Sequence, residues 1–267
     1  MSNVELNLES MKEIIEALRN PKSKLKIGKE TIKMASLIRL GGGGTKTVYQ
    51  IDIDGEKRAL ALPNSLDASG RALEKWEIAL KEPQNTQTIR DCGFLTNPVC
   101  EKTEIEINFQ PFFALLMLPY SELPFKIGDS KNPGDSTIEG EIPEPDSQEF
   151  QQAALPLISD VCELVKQKII LGRDSINIAQ TDDGWRLFLN DLGNMKIDEE
   201  GEIEPTKLLT FYLSAAFGAL LNSLPWDYWQ QRSSQLNEML DFIDPDKSEF
   251  SQWAMKVATD RLMENFN

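Results

Sequence analysis

Four consecutive glycines, followed at once by a β-type pattern, constrain the fold of this 267-residue chain more than any other stretch. A short apolar strand leads into Gly41 to Gly44. Residues 47–53 then alternate between apolar and polar, which is typical of a strand. Asp54-Gly55 favours a two-residue turn, because both residues tolerate positive φ, and a second strand over 57–62 stops at Pro63. We therefore predict a hairpin beside a glycine loop whose bare backbone N–H groups can close over phosphates.

Charge and residue usage exclude several classes of function. The net charge of −15 argues against nucleic acid or an anionic membrane as the main partner and fits a partner with a basic face. The chain has no histidine, which excludes Ser-His-Asp and Cys-His catalysis and any histidine metal site. Cys92, Cys100 and Cys162 form no C-x-x-C pair, so we expect buried, reduced thiols rather than zinc ligands.

The amino-terminal residues predict an extra helix. Over residues 1–20 the apolar side chains recur at helical spacing, and Pro21 follows the last of them. The first residues lack a basic segment followed by a long apolar one, so no signal peptide is expected. The longest apolar runs are too short to span a bilayer. These features predict a cytoplasmic protein without a membrane span.

The glycine stretch resembles the amino-terminal lobe of protein kinases, whose signature is G-x-G-x-x-G-x-V followed by a strand with the motif V-A-I-K. Gly41, Gly43 and Val48 match that loop, and Lys46 stands at the third glycine. The strand over 59–62 falls at V-A-I-K but carries no lysine. The with-no-lysine kinases are similar, since a loop lysine in an F-K-T-V-Y context replaces the strand lysine. The resemblance implies that Lys46 reaches the nucleotide phosphates.

The following segments also resemble those of a kinase small lobe. Residues 66–90 predict a helix with a break near Pro83, in the place of the helix that presents a glutamate to the phosphate-binding lysine. Glu74, Glu77 and Glu82 compete for that role, and the distance to the next strand favours Glu82. A second hairpin follows, after which the kinase hinge would be Leu118-Pro119-Tyr120, with Met117 lining an adenine pocket.

The second half resembles the large lobe. Residues 126–147 predict a surface loop, and residues 148–170 a long helix. A kinase catalytic loop ends in an asparagine, and a hairpin then leads to D-F-G. Asn177 and the triplet Asp191-Leu192-Gly193 occupy these places. The resemblance implies that Asn177 and Asp191 hold Mg²⁺ or Mn²⁺, which prefer oxygen ligands of this kind.

The catalytic base departs from the kinase pattern. The motif H-R-D-L-x-x-x-N places the aspartate five positions before the asparagine, and here that position is Gly172. Arg173-Asp174 matches the R-D pair, but Asp174 lies only three positions before Asn177. Either the loop is shortened and Asp174 is the base, or the base is missing. Selenoprotein-O-like proteins lack the usual aspartate and transfer AMP, so nucleotidyl transfer is a further alternative.

The predicted fold is α+β, a two-lobed protein kinase-like arrangement with a small antiparallel β lobe, a helical large lobe and an extra N-terminal helix. The predicted segments are a helical extension over 1–34, an N-lobe over 35–120 and a compact C-lobe over 121–267. The implied ligands are ATP and Mg²⁺ or Mn²⁺. The residues expected at the nucleotide are Gly41, Gly42, Gly43, Gly44, Thr45, Lys46, Val48, Ala59, Glu82, Met117, Leu118 and Tyr120.

The expected function is that of an atypical ATP-dependent kinase acting on a protein acceptor, with Lys46 and Asp174 as catalytic residues. The alternatives are a pseudokinase that binds proteins, supported by Ala61 and Gly172, and AMP transfer. The compact second lobe resembles that of bacterial effector kinases, for which the acceptor would be a host protein and the location the host cytosol.

Overall fold

The structure, a computed structural model, describes residues 7–64, 71–128, 138, 142–145, 147–239, 242 and 248–264. The chain divides into two compact units. The first consists of Met1–Gln87, Asn97–Leu123 and Asp191–Asn194. The second consists of Thr88–Thr96, Pro124–Asn190 and Met195–Asn267.

The first unit is built on a seven-stranded antiparallel sheet with the order β2-β1-β7-β8-β5-β4-β3. Its strands are β1 (Lys24–Ile27), β2 (Glu30–Lys33), β3 (Ile38–Gly42), β4 (Lys46–Ile53), β5 (Glu56–Pro63), β7 (Cys100–Ile107) and β8 (Gln110–Met117). The predicted Asp54-Gly55 turn is present, with φ of 52° and 82°. Asn108 and Phe109, with φ of 49° and 72°, form a second two-residue turn between β7 and β8.

Both faces of this sheet are covered, and the helices of the first unit provide part of the cover. They are α1 (Leu8–Arg19), α2 (Ala72–Ala79) and α3 (Glu82–Asp91), the last of which continues into the second unit. Leu60 and Leu62 of β5 pack on one face with Ile14 and Leu18 of α1. On the other face, Ala61 packs with Trp76 of α2 and with two more residues of α1. Because side chains alternate along a strand, β5 supplies both cores.

The amino-terminal segment is less helical than the sequence predicted. Helix α1 forms as expected, with Asn7 as its N-cap accepting hydrogen bonds from the N–H groups of Glu9 and Ser10 at 3.0 and 2.9 Å. The rest of the expected helical extension contains β1 and β2, and β1 joins the sheet through β7. In β1, exposed Lys24 and Lys26 alternate with buried Leu25 and Ile27, but the strand has only four residues, and β2 is almost entirely polar.

The predicted helix over 66–90 is two helices in the described part. Helix α2 ends at Ala79 and α3 starts at Glu82, with Pro83 in the first turn of α3. Proline suits a first turn because the N–H that it lacks would have no partner within the helix. Residues 65–70, where the prediction began, lie outside the described residues.

The second unit combines helices with a small sheet. Its helices are α4 (Gln148–Lys166), α5 (Pro205–Asn222), α6 (Trp226–Glu238) and α7 (Glu249–Glu264). The sheet has the order β6-β12-β11-β9, formed by β6 (Leu95–Thr96), β9 (Lys126–Gly128), β11 (Ile176–Thr181) and β12 (Gly184–Leu189). A separate pair joins β10 (Ile169–Ile170) to β13 (Lys196–Ile197). Phe150 of α4 packs against Trp185 of β12, with ring centroids 4.7 Å apart.

The predicted α+β class is confirmed, with an antiparallel sheet in the first unit and most of the helices in the second. Two local predictions were wrong. Lys126–Gly128 was expected in a loop but pairs with β11 as an edge strand. Of the three thiols, only Cys162 is buried, and burial raises its pKa to about 11, whereas Cys92 and Cys100 are partly exposed.

Within the described part of the chain, none of the helices has the length and apolar composition that crossing a membrane requires.

An ion pair between the buried Asp160 and the partly buried Arg186 joins α4 to β12 and provides a test of the second unit. Asp160 Oδ2 accepts hydrogen bonds from Arg186 Nε at 2.7 Å and from the Leu187 N–H at 2.9 Å. Burial raises the pKa of Asp160, although the guanidinium and the N–H group act in the opposite direction. Desolvation thus offsets part of the benefit of the pair.

We expect Asp160→Ala to lower the free energy of unfolding by about 3 kcal/mol, because it leaves a buried N–H group and a largely buried guanidinium without their acceptor. Asp160→Asn should cost less, because an amide oxygen can still accept from Leu187. Urea denaturation followed by circular dichroism measures both changes. Equal losses of stability in the two variants would show that the hydrogen bond from the Leu187 N–H does not contribute to stability.

Candidate functional site

Lys46 is placed by the glycine-loop hairpin. It is the first residue of β4, and its carbonyl accepts a 2.9 Å hydrogen bond from the N–H of Gly43 across the turn. In the β4–β5 register it lies opposite Pro63, and Val48 lies opposite Ala61. Lys46, Val48 and Ala61 therefore share one face of the sheet, the face covered by Trp76.

Two carboxylates flank the Lys46 ammonium. Its Nζ forms an ion pair with Glu82 Oε2 and lies 3.0 Å from Asp191 Oδ1. The side chains of Lys46 and Glu82 are 12% and 4% exposed, and that of Asp191 is 44% exposed. All three residues belong to the first unit. The group thus has a buried cation-carboxylate pair and a second carboxylate that reaches solvent.

The cation stays charged in this setting. Burial lowers the pKa of Lys46, but the negative charges of Glu82 and then Asp191, with their hydrogen bonds, outweigh it, so the pKa is raised above its ordinary value of 10.5. With one positive and two negative charges, the three side chains carry a net charge of −1 when ionised. That sum favours the approach of a cation from the solvent side.

Glu82 is the glutamate that contacts Lys46, whereas Glu74 and Glu77 are exposed on α2. Ala61 is fully buried in the cluster around Trp76 and lies opposite Val48. A charged side chain at position 61 would lie in an apolar environment without solvent. The cation comes instead from the neighbouring strand β4. Lys46 lies at the start of β4, directly after the glycine turn and opposite the end of β5.

Asp191 is held by contacts of the residues that follow it. Its own φ is 51°, in the left-handed region that aspartate tolerates better than most residues. The short 3-10 helix Leu192–Asn194 comes next, and its Leu192 carbonyl accepts a 2.6 Å hydrogen bond from Asn85 of α3. A Cβ on Gly193 would lie 2.7 Å from the carbonyl oxygen of Ile78 in α2, so this position has room only for glycine. The Asp191-Leu192-Gly193 triplet is therefore fixed against α2 and α3.

The four glycines of the loop fall into two kinds. A Cβ on Gly42 would lie 3.1 Å from the Lys46 carbonyl oxygen and 3.2 Å from Thr47 Cα, so packing disfavours a side chain there. Gly41, Gly43 and Gly44 have no heavy atom within 4 Å of a built Cβ, and none of the four has φ in the left-handed region. Neither packing nor backbone conformation requires glycine at those three positions. A bare backbone at these positions is compatible with the close approach of a ligand.

Asn64 holds the loop in place and was missed by sequence reasoning. Its Nδ2 donates to the Gly43 carbonyl at 2.7 Å, and its N–H donates to the Thr45 carbonyl at 3.0 Å. The residue directly after β5 thus fixes the turn that precedes Lys46. In the sequence it reads only as the polar residue after a strand-ending proline, and no spacing signal marks it.

The residues expected around adenine share a sheet face, but the expected hinge is partly occupied. Ala59 pairs with Met117 in the β5–β8 ladder, and Val48 and Met117 pack on the same apolar cluster. The side chain of Asn97 accepts from the Leu118 N–H at 3.1 Å and donates to its carbonyl at 2.7 Å. Pro119 has no N–H. An adenine at this position would thus find fewer backbone hydrogen-bond partners than the sequence predicted.

Asn177 and Asp174 lie in the second unit. Asn177 Nδ2 donates to Asn190 Oδ1 at 2.7 Å, and the Asn190 N–H donates to the Ser175 carbonyl at 3.1 Å. This network joins the 3-10 helix Arg173–Ser175 to the residue directly before Asp191 in the chain. Asp174 is exposed, and its carboxylate turns back over Gly172, where a Cβ would lie 2.5 Å from Oδ1.

Tyr212 anchors the segment that leads to Asp174. Its hydroxyl accepts from the Leu171 N–H at 2.9 Å and donates to the Ile169 carbonyl at 2.6 Å. Burial raises the pKa of Tyr212 to about 12, so the hydroxyl remains a donor at neutral pH. Sequence reasoning missed this role, because the residue reads as one more member of the apolar helix α5.

The metal expected from the kinase resemblance fits Asp191 in a limited way. In the described part of the chain, no group of three Cys, Asp or Glu side chains is arranged as a metal site. Magnesium in phosphate-transferring sites is commonly held by one or two carboxylates together with substrate phosphates. A single half-exposed carboxylate at the solvent edge of the group is compatible with that pattern.

No protein-family model and no curated protein matches the chain. Among solved structures, it is similar to WaaP in complex with acyl carrier protein, with a TM-score of 0.37 and 15% identity over 94% of this chain and 92% of that one. It is also similar to the kinase domain of PknI from Mycobacterium tuberculosis, with a TM-score of 0.34 and 10% identity over 84% of this chain and 94% of that one. At scores this low, neither likeness assigns a substrate, a cofactor or a partner.

The Lys46–Glu82 pair should show strong energetic coupling. Lys46→Met leaves the Glu82 carboxylate buried without its cation and should cost about 3–5 kcal/mol of stability. Glu82→Gln should also destabilise, and the double variant should cost at least about 1 kcal/mol less than the sum of the two. Asp191→Asn should cost at most about 1 kcal/mol, since that carboxylate is half-exposed and asparagine also tolerates its positive φ.

Urea unfolding of the four variants and the wild type measures this cycle. If the losses of stability in the two single variants add up to the loss in the double variant, the contact between Lys46 and Glu82 contributes nothing specific to the fold.

Proposed function

We propose that the protein binds ATP with Mg²⁺ or Mn²⁺ and transfers its terminal phosphoryl group to an acceptor protein. The observation that carries this proposal is the position of Lys46, ion-paired to Glu82 and to Asp191, although the buried stretch 59–62 of β5 has no lysine. The same three residue types hold phosphates and metal in kinases, where the lysine pairs with a helix glutamate. Here a lysine from the neighbouring strand supplies the charge.

The glycine positions support a phosphate ligand above the hairpin. Gly43 and Gly44 are open, and their lack of a side chain has no use in packing or backbone conformation. Backbone N–H groups of a glycine loop are suited to anions, and since the Gly43 N–H is bonded to the Lys46 carbonyl, the N–H groups that follow it in the loop would meet the phosphate. Asn64 binds the Gly43 carbonyl and the Thr45 carbonyl, which keeps the loop close to Lys46.

The metal belongs on the solvent side of the group. We assign Asp191 as its protein ligand, and Asn177 as a second ligand stays a prediction from the sequence. A bound divalent cation would neutralise charge that develops on the transferred phosphoryl group. In the ligand-free protein, Lys46 partly neutralises Asp191, so metal and nucleotide should bind together better than either alone.

Asp174 is the candidate base. In the proposed step the acceptor hydroxyl oxygen forms a bond to the terminal phosphorus, the bond from that phosphorus to the bridging oxygen breaks, and ADP leaves. The hydroxyl proton passes to the Asp174 carboxylate. The exposure of Asp174 allows a large acceptor to reach it.

The alternative is a binding module that keeps the nucleotide but lacks the chemistry. It is favoured by one observation, the absence of an acid at position 172 together with the Asp174 carboxylate folded over that glycine. Transfer of AMP rather than phosphate is the third possibility, and it uses the same nucleotide site with the opposite end of the triphosphate reacting.

We expect isothermal titration to show ATP binding that requires Mg²⁺ or Mn²⁺ and is lost in Lys46→Met and Asp191→Asn. Gly43→Ala and Gly44→Ala should weaken ATP binding by about tenfold, which is about 1.4 kcal/mol. Their stability should be unchanged or higher by up to about 1 kcal/mol, since alanine restricts the unfolded chain. These two variants remain folded even where removal of Lys46 does not leave a stable protein.

Gly55→Ala is the matched control. Its φ of 82° makes alanine unfavourable in the distal turn of the same hairpin, so we expect lower stability with unchanged ATP affinity. Metal-independent ATP binding, or loop variants that bind as tightly as the wild type, would contradict the proposed site.

Labelled ATP distinguishes the three functions. We expect label from the γ-phosphate to appear on protein and, through slow transfer to water, in inorganic phosphate. Asp174→Asn should reduce the rate of transfer by about 100-fold or more. Asp183→Asn, an exposed acid elsewhere in the second unit, should leave the rate unchanged. Label from the α-phosphate would indicate AMP transfer. ATP binding with neither label transferred nor ATP hydrolysed would identify a binding module.

A further inference from the structure

An apolar groove lies at the start of α5 in the second unit, and neither the Lys46 group nor the nucleotide proposal uses it. The groove has a volume of about 240 Å³. It lies between the β10 strand and the first turns of α5. Its lining residues are Ile170, Leu171, Ile203, Lys207, Leu208, Phe211 and Tyr212.

The groove exposes large apolar side chains. Phe211 is 38% exposed and Ile203 is 37% exposed. Ile197, next to the groove-lining strand in the β10–β13 pair, is 47% exposed. Single exposed apolar residues are ordinary, whereas several large ones around one concave surface are suited to contact with apolar side chains of another molecule.

The groove wall is ordered rather than loose. Asp198 accepts hydrogen bonds from the N–H groups of Glu202 and Ile203, both at 3.0 Å. These bonds lower the pKa of Asp198 and close the loop that presents Ile203 to the groove. On the other wall, Phe211 packs edge-on against Tyr212 at 5.2 Å, and Tyr212 is itself fixed by Ile169 and Leu171.

The rim of the groove is acidic. Between Ile197 and Pro205 the chain reads Asp-Glu-Glu-Gly-Glu-Ile-Glu, and its four glutamates are exposed. Two lysines lie close to this acidic stretch: Lys207 lines the groove and pairs with Glu204 at 2.9 Å, and Lys168 Nζ lies beside Gly201, 3.7 Å from a Cβ built there. The acidic side chains of the stretch outnumber them. The protein as a whole carries a net charge of −15. A second copy of the chain or an acidic segment would therefore be repelled, whereas a basic one would be attracted.

We propose that this groove binds a protein segment in which apolar side chains are flanked by lysine or arginine. The apolar side chains enter between Ile203 and Phe211, and the basic ones face the glutamates of the rim. This inference is independent of the proposed phosphotransfer, since it concerns residues that contact neither Lys46 nor the glycine loop.

The test uses fluorescence polarisation with a short labelled peptide of alternating lysine and leucine. Two comparison peptides replace either all lysines by glutamate or all leucines by serine. We expect only the lysine-leucine peptide to bind, with an affinity that falls as salt is raised. Phe211→Ser, and separately Glu199→Lys with Glu200→Lys, should each weaken it by about tenfold or more.

Matched controls separate the groove from the general negative charge. Asp182→Lys with Asp183→Lys makes the same change of net charge at an exposed turn of the same unit, and Met263→Ser removes another exposed apolar side chain. Both should bind the peptide as the wild type does. Binding lost equally in the Asp182 and Asp183 variant would mean diffuse attraction and overturn the proposal.

Two other results would also overturn it. One is absence of binding by the lysine-leucine peptide. The other is a concentration-dependent dimer, seen by light scattering and abolished by Phe211→Ser, which would make a second copy the occupant. Nucleotide binding is measured on the same samples, so failure of the groove and failure of the phosphotransfer proposal are distinguished.

Discussion

The ion pair between Lys46 and Glu82 is the constraint around which the first unit is arranged. A charged pair with this little exposure is tolerable only if each partner stays in reach of the other. The position of the ammonium depends on the glycine turn and on Asn64, and that of the carboxylate depends on where α3 begins. The break between α2 and α3 is thus tied to the hairpin, although they are far apart in sequence. Asp191 completes the group from the solvent side.

A lysine at the end of a hairpin also leaves the central strand free for packing. Ala61 is surrounded by Trp76, Leu115 and the helices, and the buried strand β5 has apolar side chains on both faces. Because the charge lies on β4, where the sheet meets the glycine loop, the ammonium contacts polar partners without disrupting the apolar core. Helix α1 contributes buried side chains to both cores.

Sequence reasoning reached the parts of the site that have local signals. The Asp54-Gly55 turn and most of the strands and helices follow from turn chemistry and periodicity, whereas Lys46, Glu82 and Asp191 were singled out by the resemblance to protein kinases. Asn64, Asn97 and Tyr212 could not be found in this way, because each is a single polar side chain that acts through long-range hydrogen bonds. The β1–β2 hairpin and the Lys126–Gly128 strand were missed because their strands have only three or four residues, too few for alternation to identify them, and their pairing with distant strands decides their structure.

The contacts of Gly193 with α2 and of Leu192 with α3 have a consequence for motion. Glu82 is the first residue of α3. Asp191 directly precedes the short helix that contacts α2 and α3. The two carboxylates therefore belong to one packed group of helices. Lys46 belongs instead to the hairpin. A shift of those helices away from the hairpin would separate the ammonium from both carboxylates in the same step. The group should therefore be either assembled or dispersed, and a state with only one of the two contacts should be scarce.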